Sequence, residues 1–265
     1  MHNSSIDSVL FLGSGPALAV EESNFHSNML IKTSENKRLL IDCGTDVKWS
    51  LHAQGLSFKD IDGVYISHLH SDHVGGLEWL AFNFYFNLRQ KVPLYIEESL
   101  VDDLWDHVLV GGLSSIDDKK VTLDEFFDVH LIQHGSKFKW EEVEFQTVKT
   151  IHSIANHQIL PSFGLFFEAN NVNILITTDT RFLPDLFAPY FNQADIIFHD
   201  CECEERISGI HTRFTELVTL PTEIKQKMWL YHSTAENQPD CKKFGFKGFV
   251  KKGQIFNFKE SELLK

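Results

Sequence analysis

The stretch His68-Leu-His-Ser-Asp-His73 places four metal-ligand side chains within six residues, directly after the apolar run 63–66. Residues i and i+2 of an extended segment point to the same side, so His68 and His70 can bind one metal ion. The chain then turns, so that Asp72 and His73 can face a second ion beside the first. A lone histidine near a strand end is usually structural, but four ligand residues in this order rarely coincide. The stretch predicts half of a two-metal hydrolase site.

Length and composition predict one packed domain over residues 1–265. The chain is 43% hydrophobic, which is ample for a core, and no linker or internal repeat interrupts it. No apolar run reaches 18 residues, so we expect no membrane span. The apolar run Val9–Val20 lacks a basic start and is broken by Gly13-Ser-Gly-Pro16, so we do not interpret it as a signal peptide. The four cysteines form no CxxC motif, and we expect reduced thiols in a cytoplasm.

The net charge of −13 restricts the class of partner. Two divalent ions would leave a charge of about −9, and long polyanions bind proteins through many Lys and Arg contacts. We therefore expect no long nucleic acid. A small anion remains possible, because the local field of the metals can hold it.

The order of elements predicts an α/β (α+β) fold. Each half begins with strands, helices are predicted over 77–88 and 100–110, and 163–168 and 172–176 flank an Ala-Asn-Asn hairpin turn. Two mixed sheets, packed together and covered by helices on both outer faces, would satisfy this pattern. The order alone leaves other α/β architectures open.

Three further ligand candidates follow strand-like runs: His152, Asp179 and His232. Taken singly, each has a structural alternative, and Asp179 could simply cap a turn. Asp42, in Leu39-Leu-Ile-Asp-Cys-Gly44, could likewise be a turn residue before glycine.

The pattern HxHxDH at 68–73 resembles the signature of the metallo-β-lactamase fold. That resemblance implies a four-layer αβ/βα sandwich, and it implies roles for the candidate residues. His68, His70 and His152 would hold one metal. Asp72, His73 and His232 would hold the other, with Asp179 bridging both. Asp42 would orient the metal-binding histidines.

This ligand set favours two divalent metals, most of all Zn²⁺, with Mn²⁺ or Fe²⁺ as alternatives. Five neutral imidazoles and two carboxylates leave two divalent ions with a formal charge of +2, and a bridging hydroxide would reduce it to +1. The centre would therefore attract an anionic substrate. Cys201 and Cys203 follow the segment 195–200 and are alternative soft ligands.

The segment Asp195-Ile-Ile-Phe-His-Asp-Cys-Glu202 resembles the His-Glu segment of the transfer-RNA 3′-processing endonucleases. This similarity implies that His199 donates a proton to the leaving alkoxide and that Asp200 orients its imidazole. The alternative is a hydrogen-bonded turn. Those endonucleases usually carry a long arm between the motifs that correspond to His152 and Asp179. Here 27 positions (179 − 152) separate the two, and the predicted hairpin uses them up, which argues against a tRNA substrate.

The whole chain is similar to a closer group, the small phosphodiesterases that degrade cyclic nucleotides, including the phage anti-Pycsar proteins. The features that carry this resemblance are Leu40-Ile-Asp-Cys-Gly44, Tyr65-Ile-Ser-His-Leu-His-Ser-Asp-His-Val-Gly-Gly-Leu-Glu-Trp79, Thr177-Thr-Asp-Thr180, Lys227-Met-Trp-Leu-Tyr-His232 and Gly248-Phe-Val-Lys-Lys-Gly-Gln-Ile255. In that group the substrates are 3′,5′-cyclic mononucleotides and the enzymes are homodimers.

The resulting hypothesis is a binuclear phosphodiesterase that converts cAMP, cGMP, cCMP or cUMP to the nucleoside 5′-monophosphate. Asp72, His199 and Asp200 would be its catalytic side chains, and a bridging hydroxide would attack phosphorus. It would act in a cytoplasm, the host's if a phage encodes it, against cyclic-nucleotide immune signalling. Two rivals remain: a tRNase Z-like endonuclease or other hydrolase of the same fold, and a non-catalytic protein that sequesters nucleotides. Trp79, Phe82 and Phe86 share one helix face, which favours core or dimer contact over base stacking.

Overall fold

A computed structural model describes residues 5–18, 24–116, 120–155 and 157–259. Of the apolar run Val9–Val20, residues 19 and 20 lie outside the described residues. Within those four ranges, no helix is long and apolar enough to cross a membrane.

Runs of consecutive strands, β1 to β3 and β6 to β10, are separated by helical segments, and the longest strands lie in the middle of the chain. The strands are β1 (Ile6–Phe11), β2 (Met29–Thr33), β3 (Arg38–Ile41), β4 (Gly63–Ile66), β5 (Val92–Glu97), β6 (Phe127–Ile132), β7 (Lys137–Trp140), β8 (Val143–Ala155), β9 (Gln158–Ala169), β10 (Val172–Ile176), β11 (Ile196–Asp200), β12 (Met228–Tyr231), β13 (Gly248–Phe249) and β14 (Ile255–Asn257). The α-helices are α1 (Val47–Ala53), α2 (Ser71–Val74), α3 (Leu77–Phe82), α4 (Val101–Asp103), α5 (Val110–Leu113), α6 (Pro184–Gln193), α7 (Phe214–Leu217) and α8 (Thr222–Lys225). π-Helical turns Asn83–Leu88 and Leu104–Leu109 extend α3 and join α4 to α5.

The strands form two mixed sheets of seven strands each. The first has the order β14-β1-β2-β3-β4-β5-β6, and the second has the order β13-β12-β11-β10-β9-β8-β7. Pairing is parallel from β3 to β6 and from β10 to β13, and antiparallel elsewhere. The parallel strands end at the edge where the candidate ligands follow them.

The two sheets pack face to face around a buried apolar core. Phe11 of the first sheet lies 5.1 Å from Phe198 and 5.6 Å from Tyr231 of the second, measured between ring centroids. The Tyr65 hydroxyl donates to the carbonyl of Phe163 across the same interface, at 2.8 Å. Helices cover the outer faces, so the predicted four-layer αβ/βα architecture is confirmed.

Helix α6 packs on the outer face of the second sheet. Side chains on a strand alternate between faces, and Phe198 of β11 belongs to the core between the sheets. Its neighbour Ile197 packs with Phe187 and Phe191 of α6 instead. On β11, odd-numbered residues therefore face the helix layer and even-numbered residues face the first sheet. This alternation decides the positions of His199 and Asp200.

The second half of the chain shows where sequence patterns were sufficient and where they were not. The predicted hairpin is present as β9 and β10, and its turn at Asn170 and Asn171 has φ values of 50° and 64°. Helix α6 was not predicted from the sequence, although Pro184 occupies its first turn, where a missing N–H costs nothing. Pro189 inside the helix obscured the signal, since proline in a helix interior usually breaks it.

Candidate metal centre

The candidate ligands converge at one end of the two sheets. His68 and His70 follow β4, Asp179 follows β10, and His232 follows β12. His232 has a left-handed backbone, with φ of 70°, and its N–H donates to the carbonyl of Ser14 at 2.9 Å. Such a conformation is uncommon for a residue with a side chain, and it turns the imidazole sharply at the strand end.

Three histidines form the first group of converging nitrogens. His68 Nε2 lies 3.2 Å from His70 Nδ1, and His152 Nε2 lies 2.9 Å from the same atom. Zinc–nitrogen bonds of about 2.0 Å in a tetrahedron place ligand atoms about 3.3 Å apart. The spacing of the three nitrogens is therefore close to what one tetrahedral ion needs.

Four side chains form the second group: Asp72, His73, Asp179 and His232. His73 Nε2 lies 3.0 Å from Asp72 Oδ2 and 3.2 Å from Asp179 Oδ2. His232 Nε2 lies 3.5 and 3.4 Å from the same two oxygens. These separations again approximate the edges of a tetrahedron around one ion.

One oxygen of Asp179 lies between the two groups. Asp179 Oδ2 is 3.7 Å from His68 Nε2 and 3.8 Å from His152 Nε2, in addition to its contacts with the second group. A carboxylate in this position can ligate ions in both groups. The structure thus brings together all seven side chains that the sequence singled out as metal ligands.

Buried atoms without partners test whether this site suits a cation. His73 Nε2, His232 Nε2 and Asp179 Oδ1 are buried and lack a hydrogen-bond partner. Unsatisfied buried polar groups are rare and costly in native proteins. Divalent ions would satisfy them, so the donor set fits a metal centre of nitrogen and oxygen ligands.

Burial keeps imidazoles of the first group in the neutral form that binds metals. Burial lowers the pKa of His68 well below its usual value and that of His152 to about 4. Neutral imidazoles are the form that ligates metals, and both rings are neutral at pH 7.

The second group is a mixture of charges. Burial would raise the pKa of the Asp72 carboxyl, but His73 and His232 outweigh burial and hold it well below the usual range. Burial would lower the pKa of His73, but Asp179, Asp72 and Asp42 raise it well above its usual value. Burial would likewise raise the pKa of the Asp179 carboxyl, but His232 and His73 outweigh burial and hold it well below the usual range. The group therefore contains two ionised carboxylates at neutral pH, which suits a divalent ion.

Asp42 lies behind the ligands rather than among them. Its Oδ2 accepts from His73 Nδ1 at 2.7 Å and from the Ser67 hydroxyl at 2.7 Å, and its Oδ1 accepts from the Ser67 N–H at 2.8 Å. These bonds leave His73 Nε2 directed at the second group. A contact of this kind would suit the orienting role that the resemblance implies for Asp42.

His152 lies at an irregularity in the long hairpin of β8 and β9. The pairing shifts between Ile151 and Ser153, so His152 has no partner directly opposite. Bulges of this kind redirect a side chain next to a site. Its Nδ1–H donates to the carbonyl of Ile210 at 3.0 Å, which directs Nε2 toward His70.

The structure does not place His199 in the site, which contradicts the proton-donor role predicted for it. His199 is an odd-numbered residue of β11 and faces α6, where its ring lies 5.9 and 6.0 Å from those of Phe187 and Phe191. Its Nδ1–H donates to the backbone carbonyl of Asp200 at 2.7 Å. The carboxylate of Asp200 points to the other side of the strand and does not orient this ring.

His211 is a candidate that the sequence reasoning missed. Its Nδ1 lies 3.1 and 3.2 Å from the two carboxylate oxygens of Asp200, and Asp200 also accepts from the Thr180 N–H at 3.0 Å. Burial would lower the pKa of His211, but Asp200, Asp179 and Glu202 outweigh burial and raise it to about 9. His211 follows a loop instead of a strand, so no strand-end pattern marked it.

A cavity of about 560 Å³ opens over the two groups, a size typical of small-molecule sites. Its floor includes Asp72, Asp179 and His211, and its walls include Leu18 and Ile207, both exposed. His199 does not line it. Its lining residues are Pro16, Ala17, Leu18, His70, Ser71, Asp72, Asp179, Glu202, Glu204, Arg206, Ile207, Ser208, Ile210, His211 and His232.

The cysteines lie apart from these groups. Cys201 and Cys203 have sulfur atoms 3.7 Å apart, and neither joins a metal-ligand cluster in the described part of the chain. Cys201, the residue after β11, is buried in the apolar cluster that includes Phe187 and Phe191 of α6. Nothing in this geometry supports the alternative of a soft-ligand role.

Comparison with known proteins identifies one family by sequence and one shared fold by structure. A family model described as Anti-Pycsar protein Apyc1 matches residues 8–256. The Anti-Pycsar protein Apyc1 of Paenibacillus harenae is 35% identical over 84% of this chain and 88% of its own length. That of Bacillus phage vB_BveM-Goe7 is 28% identical over 91% of this chain and 95% of its own. Among solved structures, the metallo-beta-lactamase fold protein YhfI from Bacillus subtilis is similar, with a TM-score of 0.74 and 18% sequence identity. The match covers 95% of this chain and 99% of the YhfI chain.

Proposed function

The chain belongs to the anti-Pycsar Apyc1 family, and we propose that it is a binuclear metal-dependent phosphodiesterase that hydrolyses 3′,5′-cyclic mononucleotides to nucleoside 5′-monophosphates. The observation that carries the proposal is the convergence of seven nitrogen and oxygen ligands beneath a single cavity. Family membership supports the substrate class, since the sequence resemblance implies cyclic mononucleotides.

The cavity suits a small anion better than a polynucleotide. Arg206 is the only lysine or arginine among its described lining residues, and Glu202 and Glu204 lie in the same wall. A long polyanion needs many cationic contacts along its backbone, whereas one phosphodiester needs only the charge of the metals. This distribution supports a mononucleotide substrate over tRNA.

Two divalent ions, when bound, supply Lewis acidity toward the phosphate oxygens and activate a water that attacks phosphorus. The chain's own side chains would place negative charge beside the ions and transfer a proton. Asp72 and Asp179 hold negative charge against the ions, and the Asp200 carboxylate fixes the His211 ring through Nδ1. With Nδ1 held in this way, His211 Nε2 is the ring atom left to donate a proton to the leaving O3′, the role predicted for His199.

Zn²⁺ is the ion we propose, with Mn²⁺ as the alternative. The groups contain five imidazoles and two carboxylates, without thiolate, and their separations match tetrahedral geometry. Metal analysis of protein purified without added metal tests this assignment, and stoichiometric Mn²⁺ without Zn²⁺ would contradict it.

A panel of substrates tests the proposed reaction. The purified protein is incubated with cAMP, cGMP, cCMP, cUMP and a 3′-extended precursor tRNA, alongside Asp72→Ala and the exposed-site control Asp102→Ala. We expect turnover of cyclic mononucleotides by the wild type and by Asp102→Ala. In Asp72→Ala we expect a loss on the order of 100-fold or more, because removing a metal ligand should cost at least as much as removing an outer partner of one.

The panel also separates the rival functions. Cleavage of the precursor tRNA without turnover of cyclic mononucleotides would favour a tRNase Z-like endonuclease. Tight cyclic-nucleotide binding without product would favour a protein that sequesters its ligand. Either result would replace the proposed reaction.

We further propose that the protein is a homodimer acting in a bacterial cytoplasm, where it would degrade cyclic-nucleotide immune signals. The relatives come from Paenibacillus and from a Bacillus phage, and the resemblance implies a dimer. Phe86 is 49% exposed beside Phe82, which supports a contact surface on the predicted aromatic face. Light scattering that gives the mass of a monomer at micromolar concentration would contradict the dimer.

A further inference from the structure

We propose that Asn28 is a positioning residue for the second metal subsite, the group Asp72, His73, Asp179 and His232. Asn28 lies directly before β2 and is fully buried. Its side-chain hydrogen bonds reach backbone atoms and not the ligand atoms, so its effect would pass through the backbone. The inference rests on the two-metal centre proposed above.

The amide of Asn28 joins two loops that carry site residues. Its Nδ2 donates to the backbone carbonyl of Asp72 at 2.9 Å. Its Oδ1 accepts from the backbone N–H of Gly44 at 2.7 Å, two residues after Asp42. One planar side chain therefore links the loop after β3 to the start of α2.

The backbone of Asn28 is held as firmly as its side chain. Its N–H donates to the carbonyl of His26 at 2.7 Å, and its carbonyl accepts from the N–H of Leu12 at 2.9 Å. The side chain and backbone thus make four hydrogen bonds at a fully buried position. Because each partner is a backbone group, the amide fixes three chain segments relative to one another.

The two linked loops lie so close together that a side chain at Gly44 would clash with them. A Cβ on Gly44 would lie 2.1 Å from the Asp72 carbonyl oxygen and 2.9 Å from Asn28 Oδ1. The Cys43 N–H donates to the His73 carbonyl at 2.7 Å beside them. Asp72 and His73 are therefore fixed through their backbones on this side, while Asp42 fixes the ring of His73.

The first subsite is held by other groups. His68 Nδ1 pairs with the Ser67 hydroxyl at 3.0 Å, and His152 Nδ1–H donates to Ile210. The Arg181 guanidinium donates to the carbonyl of His152 at 3.2 Å. Loss of Asn28 should therefore loosen the second subsite and leave the first one intact.

Asn28→Ser tests the inference without adding charge. A serine hydroxyl is too short to reach both loops, so Asp72 and Gly44 lose their buried partners. In a Co²⁺ titration of metal-free protein followed by visible absorption, we expect one class of site at wild-type affinity. The other should bind about 10- to 100-fold more weakly, the usual effect of losing an outer partner of metal ligands. Saturating metal should restore kcat to within a few-fold of wild type.

Asn170→Ser is the matched control. Asn170 Nδ2 also donates to a backbone carbonyl, that of Ile6 at 3.0 Å, in the turn between β9 and β10. Its φ of 50° makes serine strained there, so this variant should lose stability too. Both Co²⁺ affinities should nevertheless match the wild type.

The outcomes separate failure of the inference from failure of the proposed function. Two unchanged affinities in Asn28→Ser, with only a lower melting temperature, would overturn the positioning role. An equal loss of Co²⁺ affinity at both sites would overturn the claim that Asn28 acts on the second subsite alone. Wild-type protein that binds fewer than two ions would instead refute the binuclear centre. Should Asn28→Ser fail to fold, Asn28→Thr, which fills more of the same space, is titrated in its place with the same expectations.

Discussion

His199 and His211 lie twelve positions apart, and the strand geometry at β11 decides which of them faces the site. His199 and Asp200 are adjacent in sequence but face opposite sides of β11. The carboxylate on the cavity side pairs with His211, while the imidazole on the other side packs against α6. The chemistry predicted for the His-Asp pair is thus available from Asp200 and a residue in the next loop.

Replacing these two histidines separately tests that reassignment. His211→Ala should lower kcat about 100- to 10,000-fold, the range for a general acid, without removing metal. His199→Gln should retain activity within a few-fold, although its stability should fall because a buried hydrogen bond changes. Steady-state kinetics on cAMP, with metal content measured in parallel, gives the answer. Loss of activity in His199→Gln with full activity in His211→Ala would restore the original assignment.

At the level of individual residues, much of the candidate site is predictable from the sequence. His68, His70, Asp72 and His73 follow a strand at a spacing that geometry alone explains, and His152, Asp179 and His232 also follow apolar runs. His211 could not be found in this way, because it follows the polar loop 203–210 and no periodic signal precedes it. Asn28 was equally invisible, since its importance comes from contacts with residues 16 and 44 positions away.

Helix α6 is the element that separates the β11 outer face from solvent. Phe187 and Phe191 stack with centroids 5.5 Å apart, and Phe187 is fully buried. The metal groups lie at the strand ends, on the other side of the sheet from this helix. The helix should therefore contribute to stability and not to the chemistry.

Phe187→Ala should reduce the free energy of unfolding by about 3–5 kcal/mol, the usual cost of a large cavity in a core. Metal content and kcat at 25 °C should stay near the wild-type values. Denaturant titration measures the first quantity and metal analysis the second. A variant of unchanged stability that has lost its metal would show that α6 supports the site after all.

Sequence patterns located elements better than they delimited them. The helix predicted over 77–88 is present, but its second half is π-helical, which apolar spacing does not distinguish. Strand β9 begins at Gln158, earlier than predicted, because pairing with β8 overrides the weak strand propensity of Pro161. Tertiary pairing, which local patterns do not contain, set these boundaries.

At the scale of the molecule, the first and last strands lie in the same sheet. β14 pairs with β1, whereas β13, only a few residues earlier, pairs with β12 in the second sheet. The chain therefore crosses between sheets near its end. Because this crossing ties the two halves together, we propose that residues 1–265 form one domain. The order of elements allowed this sandwich, but the family resemblance was needed to select it.

Metal removal should destabilise the whole domain. Without ions, only the neighbouring imidazoles of His73 and His232 balance the buried carboxylates of Asp72 and Asp179, in a protein of net charge −13. Binding at 1,000 times Kd contributes about 4 kcal/mol, which corresponds to a melting shift on the order of 10 °C. Calorimetry should show one transition that moves down after chelation and returns with Zn²⁺. Two separate transitions would contradict a single domain, and an unchanged melting temperature would contradict a metal centre.

The most direct test of the central claim is the product formed from cAMP by metal-loaded protein, identified by chromatography. The account predicts 5′-AMP, formed with multiple turnovers, abolished by chelation and restored by Zn²⁺. The account would be contradicted if protein shown to hold two ions formed no metal-dependent product from cAMP or any other cyclic mononucleotide.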